Sequence, residues 1–109
     1  MNINIETNDA LKCAQALKGL YFVDDPEVGL NVVDLGLIYT LNFDEEAKNV
    51  DAIMTLTSQF CPMGESITSN IMQTLSDAFP EWYINLHLTF EPPWDSSKIS
   101  EKGKEFLGQ

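Results

Sequence analysis

Cys61 is followed by Pro62, Met63 and Gly64. Before it runs Met54-Thr55-Leu56-Thr57-Ser58-Gln59-Phe60, in which apolar and hydroxyl side chains alternate at first. Alternation with period two is strand chemistry, and proline suits the first turn of a helix because its missing N–H has no intrahelical partner there. The spacing therefore predicts a strand-to-helix turn with Cys61 at or beside the helix N-cap. Backbone N–H groups and the positive end of the helix dipole favour a thiolate at such a place. A thiol held there suits metal binding or nucleophilic chemistry. The plainer reading is a small buried hydrophobe that happens to precede a proline.

Three carboxylates cluster earlier, in Asp24-Asp25-Pro26-Glu27-Val28-Gly29. Asp before Pro, with Gly three residues on, is turn chemistry. The cluster is either a solvated turn or a loop that folds over the Cys61 turn and lends carboxylates to a shared pocket. Asp34 lies between apolar pairs in Asn31-Val32-Val33-Asp34-Leu35-Gly36-Leu37-Ile38. Partial burial would oblige it to accept hydrogen bonds, with backbone N–H groups the expected donors. Gly36 suggests a bulge or sharp bend into the next strand. His87 is the only histidine; set in the middle of an alternating strand, it reads as a surface residue rather than a proton carrier or ligand.

The elements that must position these groups follow from periodicity. Thr7 or Asn8 can cap a first helix with Ala10, Cys13, Ala14, Leu17, Leu20 and Tyr21 on one face, which makes Cys13 a core residue. Leu37 to Phe43 predicts a strand with Leu37, Tyr39, Leu41 and Phe43 on one face. A polar loop at 44–49 joins it to an antiparallel neighbour, Val50 to Thr57, with Ala52, Met54 and Leu56 toward the core. A helix from about Pro62 carries Met63, Ile67, Ile71, Leu75, Ala78 and Phe79, and Pro80 stops it. Trp82 to Phe90 predicts a third strand, parallel to the second because the connection holds a helix. Glu91-Pro92-Pro93-Trp94 ends that strand, and Ser96 or Ser97 can cap a last helix over 98–107. The expected architecture is α/β, of α+β two-layer type: a small three-stranded mixed sheet packed with helices, in the order α-β-β-α-β-α, with residues 1–109 as one domain.

Composition narrows the function. The 109 residues are 44% hydrophobic, with two cysteines, six lysines and no arginine, and carry a formal net charge of −11. No disulfide framework or closed zinc site can be built from two cysteines. The acidity argues against nucleic acid and against an anionic membrane as partners, and it favours basic partners or cations. Met1 to Thr7 shows no secretory pattern and no apolar run is long enough to span a bilayer, so the expected location is the cytoplasm.

Four landmarks in order resemble the small iron–sulfur assembly family that includes SufT and the PaaD-type proteins. They are Asp25-Pro26-Glu27, then Asn31 to Tyr39, then Met54-Thr55-Leu56-Thr57 with Cys61-Pro62, and finally Glu91-Pro92-Pro93-Trp94. Each is weak alone; in order, from Leu20 to Leu107, they make a specific match. Ser58 and Gln59 stand where family members commonly carry a second Thr and a Pro, which keeps a hydroxyl and frees the turn. With two cysteines in all, the chain is similar to the short, SufT-like form.

The resemblance implies an accessory factor in iron–sulfur cluster assembly or maturation, a carrier rather than a turnover enzyme. It implies a site of Cys61 with Asp25, Glu27, Thr57 and Ser58. Cys61 would be the reactive thiol or soft ligand, Asp25 and Glu27 the hard oxygen ligands, and Thr57 and Ser58 hydrogen-bonding partners of the sulfur. The group handled would be transient iron or an iron–sulfur cluster. One cysteine does not hold a cluster, so further ligands would come from a second protomer in a homodimer, from small thiols, or from a partner among the assembly machinery and client apo-proteins. Two other readings stand beside this one. In one the chain is a structural adaptor with an inert Cys61; in the other it is a cysteine-dependent hydrolase or transferase with Asp25 or Glu27 as base, a reading that proximity of His87 to Cys61 would support.

Overall fold

Ile38 faces Met54 across two antiparallel strands, yet two residues on, Thr40 faces Ile53. Tyr39 is thus one residue too many, a β-bulge that changes the phase of its strand. In the computed structural model, which describes residues 5–26, 28–57 and 64–108, ten short elements form around this strand pair. They are β1 (Glu6–Thr7), α1 (Ala10–Leu20), β2 (Asp24–Asp25), β3 (Leu30–Asn31), β4 (Ile38–Asp44), β5 (Asn49–Met54), α2 (Gly64–Ala78), β6 (Tyr83–Leu88), a 3₁₀ turn at Ser96–Lys98, and α3 (Glu101–Phe106).

The main sheet has four strands in the order β1-β4-β5-β6, and β2 with β3 makes a separate two-stranded ribbon. The mixed α/β architecture is as expected; the three-stranded sheet is not. The fourth strand, β1, pairs parallel to β4 over only two residues, Glu6 with Thr40 and Thr7 with Leu41. Two residues carry no readable period. Asn8 extends the pairing: its side-chain amide donates to the Phe43 carbonyl and its oxygen accepts from the Phe43 N–H, both at 2.8 Å. Asn8 is thereby withdrawn from capping, and Asp9 caps α1 instead, accepting from the Lys12 N–H at 3.1 Å. The parallel pairing of β5 with β6 is as predicted.

Both long helices supply their apolar stripe to one core with the sheet. On α1 the buried residues are Cys13, Ala16, Leu17 and Leu20, spaced i, i+3, i+4, i+7. Ala10, Ala14 and Tyr21, expected on this face, are exposed. The stripe is narrower than the sequence suggests because α1 packs along α2. Ile67, Ile71 and Leu75 are buried on α2, and Phe79 just beyond it, while Pro62 and Met63 lie outside the described residues. The sheet contributes Ile38, Leu41, Phe43, Val50, Ala52, Met54 and Ile84. The bulge explains Ile38, which simple alternation puts on the opposite face.

The last helix is shorter than expected. Asp95 caps the 3₁₀ turn and Ser100 caps α3, so the 98–107 stretch is split at Ile99, which is buried in the core. Gly36 makes the predicted bend. Its φ is +79°, and a Cβ there would lie 2.2 Å from the Lys98 carbonyl oxygen, so only glycine lets the two segments meet.

Candidate functional site

One end of the main sheet gathers the segments that the sequence marks for chemistry. Ile38 at the start of β4, Met54 at the end of β5 and Leu88 at the end of β6 are neighbours there. Beyond them the chain leaves through Thr55–Thr57, through Thr89–Trp94, and back through the bend at Asp34–Leu37. The Thr89 N–H donates to the Met54 carbonyl at 2.8 Å. The Trp94 indole N–H donates to the Leu35 carbonyl at 2.7 Å, so the aromatic behind the two prolines clasps the bend.

Asp25 reaches this end through the backbone. The Val32 N–H donates to Val23 (2.9 Å), the Leu37 N–H to Val32 (3.1 Å) and the Thr55 N–H to Leu37 (2.8 Å). Three bonds thus tie the acidic ribbon to the exit of β5. Asp25 is fully buried, while Asp24 beside it is exposed. The Asp25 carbonyl accepts from the N–H groups of Val28 and Gly29, closing the ribbon turn. The solvated-turn reading therefore fits Asp24 and not Asp25. Thr57 is half-buried where β5 hands over to α2, and Thr55 is fully buried. Glu27, Ser58 and Cys61 lie outside the described residues. The first turn of α2 presses on this exit: a Cβ on Gly64 would lie 2.8 Å from the Leu56 Cδ1.

Tyr39 and Thr55 are the residues that sequence reasoning did not place here. The bulge turns Tyr39 so that its hydroxyl donates to the Pro92 carbonyl at 2.9 Å. Burial pushes its phenol up, the Thr55 hydroxyl pulls it down, and the charge of Asp95 raises it again. A groove of about 400 Å³ beside Tyr39 brings in Glu6, Glu91 and Lys98. The signal for Tyr39 was present, since it closes the Asn31–Tyr39 run, but the extra residue that turns it is set by pairing with β5.

Asp34 is buried, as expected, but its donors are side chains. The Ser100 hydroxyl donates to one carboxylate oxygen at 2.7 Å and the Asn31 amide to the other at 2.7 Å. This is a structural tie between the bend and α3. His87 is exposed on β6, opposite Ile53. Cys13 is buried in α1, and burial pushes its thiol up while a hydrogen bond with Thr7 opposes this. Among the described residues no group of three or more His, Cys, Asp or Glu side chains is placed to hold a metal ion. Nor is any helix among them long and apolar enough to cross a membrane.

Comparison with known proteins matches residues 14–82 to the family described as iron–sulfur cluster assembly protein. The chain is 38% identical over 87 residues to the Fe-S protein maturation auxiliary factor SufT of Staphylococcus aureus, covering 79% of this chain and 97% of that one. It is 36% identical over 86 residues to the Fe-S protein maturation auxiliary factor YitW of Bacillus subtilis, covering 79% and 83%. Among solved structures, the Domain of Unknown Function DUF59 from Bacillus anthracis superposes with a TM-score of 0.81 at 36% identity, covering 91% of this chain and 92% of that one.

Proposed function

The chain belongs to the iron–sulfur cluster assembly protein family, and from that premise we propose that it is an auxiliary factor in the maturation of iron–sulfur proteins, working through Asp25, Thr57 and Cys61. The cluster, or its iron, is cargo. Cys61 supplies the soft thiolate, Asp25 and Glu27 supply hard oxygens, and Thr57 and Ser58 orient the sulfur by hydrogen bonds. One thiolate cannot complete a cluster's ligand set, so the remaining ligands come from the assembly machinery or the client apo-protein during transfer. The setting is the cytoplasm, where thiols are kept reduced.

The observation that carries this reading is the backbone stitch from Val23 through Val32 and Leu37 to Thr55. It ties the buried Asp25 to the strand exit from which the chain runs on to Cys61.

The test is complementation. In a cell lacking this protein, Cys61→Ala is expected to accumulate as folded protein and fail to restore the activity of iron–sulfur enzymes, while Cys13→Ala restores it. Full rescue by Cys61→Ala would remove the thiol from the mechanism and leave an adaptor that works by protein contacts alone.

A further inference from the structure

The outer edge of β6 has no strand beyond it among the described residues. The Tyr83 N–H donates to the Lys48 carbonyl at 2.7 Å and the Thr89 N–H to the Met54 carbonyl at 2.8 Å. That constant offset turns the backbone groups of the odd-numbered residues of β6 inward, toward β5. The N–H and C=O groups of Ile84, Leu86 and Leu88 therefore point outward.

Natural edge strands are blunted by charged residues, proline, a bulge or a covering segment. The β6 sequence Tyr-Ile-Asn-Leu-His-Leu has no lysine, carboxylate or proline, and its register with β5 is unbroken. Tyr83 is 69% exposed and Leu88 47%. Between β6 and α2 lies a groove of about 700 Å³, with Met72 and Leu86 in its wall, and none of its lining residues is a lysine or carries a carboxylate.

In a chain of net charge −11 this is a neutral strip. A basic partner would be drawn to the acidic faces instead. Two copies of an anionic protein repel one another least where they meet through an uncharged face.

We infer that a second copy of the chain pairs here, β6 against β6, antiparallel about a two-fold axis that is perpendicular to the sheet and passes between the two Leu86 residues. Residues opposite one another in an antiparallel ladder share a face, and those that exchange hydrogen bonds must both point outward. Centring on Leu86 satisfies both rules and uses all three outward residues of each strand. Ile84 faces Leu88 of the second copy, and Leu86 faces its own counterpart. Centring on Asn85 would use only Ile84 and Leu86 within the strand. The pairing joins the two sheets into one and covers the exposed Leu88. It leaves the two Thr57 exits at opposite ends, so each copy keeps its own site. This inference does not depend on the maturation role.

Sedimentation equilibrium of the full chain at about 100 µM is expected to give twice the 12.2 kDa monomer mass. The dimer fraction should rise with added salt, which screens the mutual repulsion. Leu88→Lys is expected to raise the dissociation constant at least ~10-fold with an unchanged circular dichroism spectrum. In a Cys13→Ala, Cys61→Ala background, Leu86→Cys is expected to cross-link to its counterpart with a short bismaleimide, because hydrogen-bonded antiparallel partners hold their Cα atoms about 5.5 Å apart, a gap too wide between Cβ atoms for a direct disulfide but within reach of a short linker. A monomer at every salt concentration overturns the proposal. So does a dimer unaffected by Leu88→Lys, or a Leu86→Cys variant that does not cross-link.

Discussion

The Ser100 hydroxyl donates to the buried Asp34 carboxylate at 2.7 Å, and the same oxygen accepts from the Gly103 N–H at 3.0 Å. One side chain thus caps α3 and satisfies a carboxylate from which it is separated by 66 residues of chain. The bend that Trp94 clasps and that leads into β4 is held to α3 through this pair. Ser100→Ala removes both bonds at once. It is expected to cost about 1–3 kcal/mol, read as a lower midpoint in urea denaturation. An unchanged midpoint would mean that the tie is not what holds the bend.

The bend itself depends on Gly36. Gly36→Ala combines a positive φ with a Cβ 2.2 Å from the Lys98 carbonyl oxygen, whereas Gly29 has a positive φ of +80° and no heavy atom within 4 Å of its Cβ position. Gly29→Ala is expected to cost only about 1 kcal/mol, the backbone term alone. Gly36→Ala should lose at least a further ~1 kcal/mol from the clash, because a carbonyl within a packed backbone segment has little room to move. Thermal melts of the two variants side by side check the difference; equal losses would argue that the α3 approach is compliant.

Cys13 is held as a neutral thiol by burial, which pushes it above its ordinary value of 9.0. The sign follows from proton binding: the folded state keeps the proton to higher pH than the unfolded chain. This contribution to stability is full below the ordinary value and is lost as pH rises through the folded one. In a Cys61→Ala background, maleimide labelling at pH 8 should be slow in native buffer and fast in denaturant. Rapid labelling of the native protein would place Cys13 outside the core.

Asp25→Asn keeps the size of a fully buried side chain and replaces its carboxyl group with an amide. If Asp25 serves the cargo site, the variant should stay folded by circular dichroism and lower the recovered activity of client iron–sulfur enzymes at least about tenfold. Unimpaired clients would leave Asp25 as a purely structural member of the acidic ribbon.

Much of this was legible because it is local. Period-two runs found β4, β5 and β6, i, i+3, i+4 spacing found α1 and α2, and the four ordered motifs pointed to the family that comparison then matched. The details of α1 were less readable, since Ala10, Ala14 and Tyr21 are as apolar as Ala16 and only the position of α2 selects among them. The site divides in the same way. Asp25 and Thr57 are candidates on their motifs alone, whereas Tyr39 is turned toward Pro92 only through the bulge.

Local preferences are written along the chain: alternation, helical stripes, the glycine bend at Gly36, and the residue types offered around Cys61. The tertiary structure alone decided which partners answer them. Glu6–Thr7 is a strand only because β4 lies beside it. Asn8 leaves its capping role because Phe43 offers two backbone groups. Asp34 is satisfied by Ser100 rather than by neighbouring backbone. Hydrogen bonds are short-ranged in space but indifferent to separation along the chain, so choices of this kind become visible only once the chain has folded.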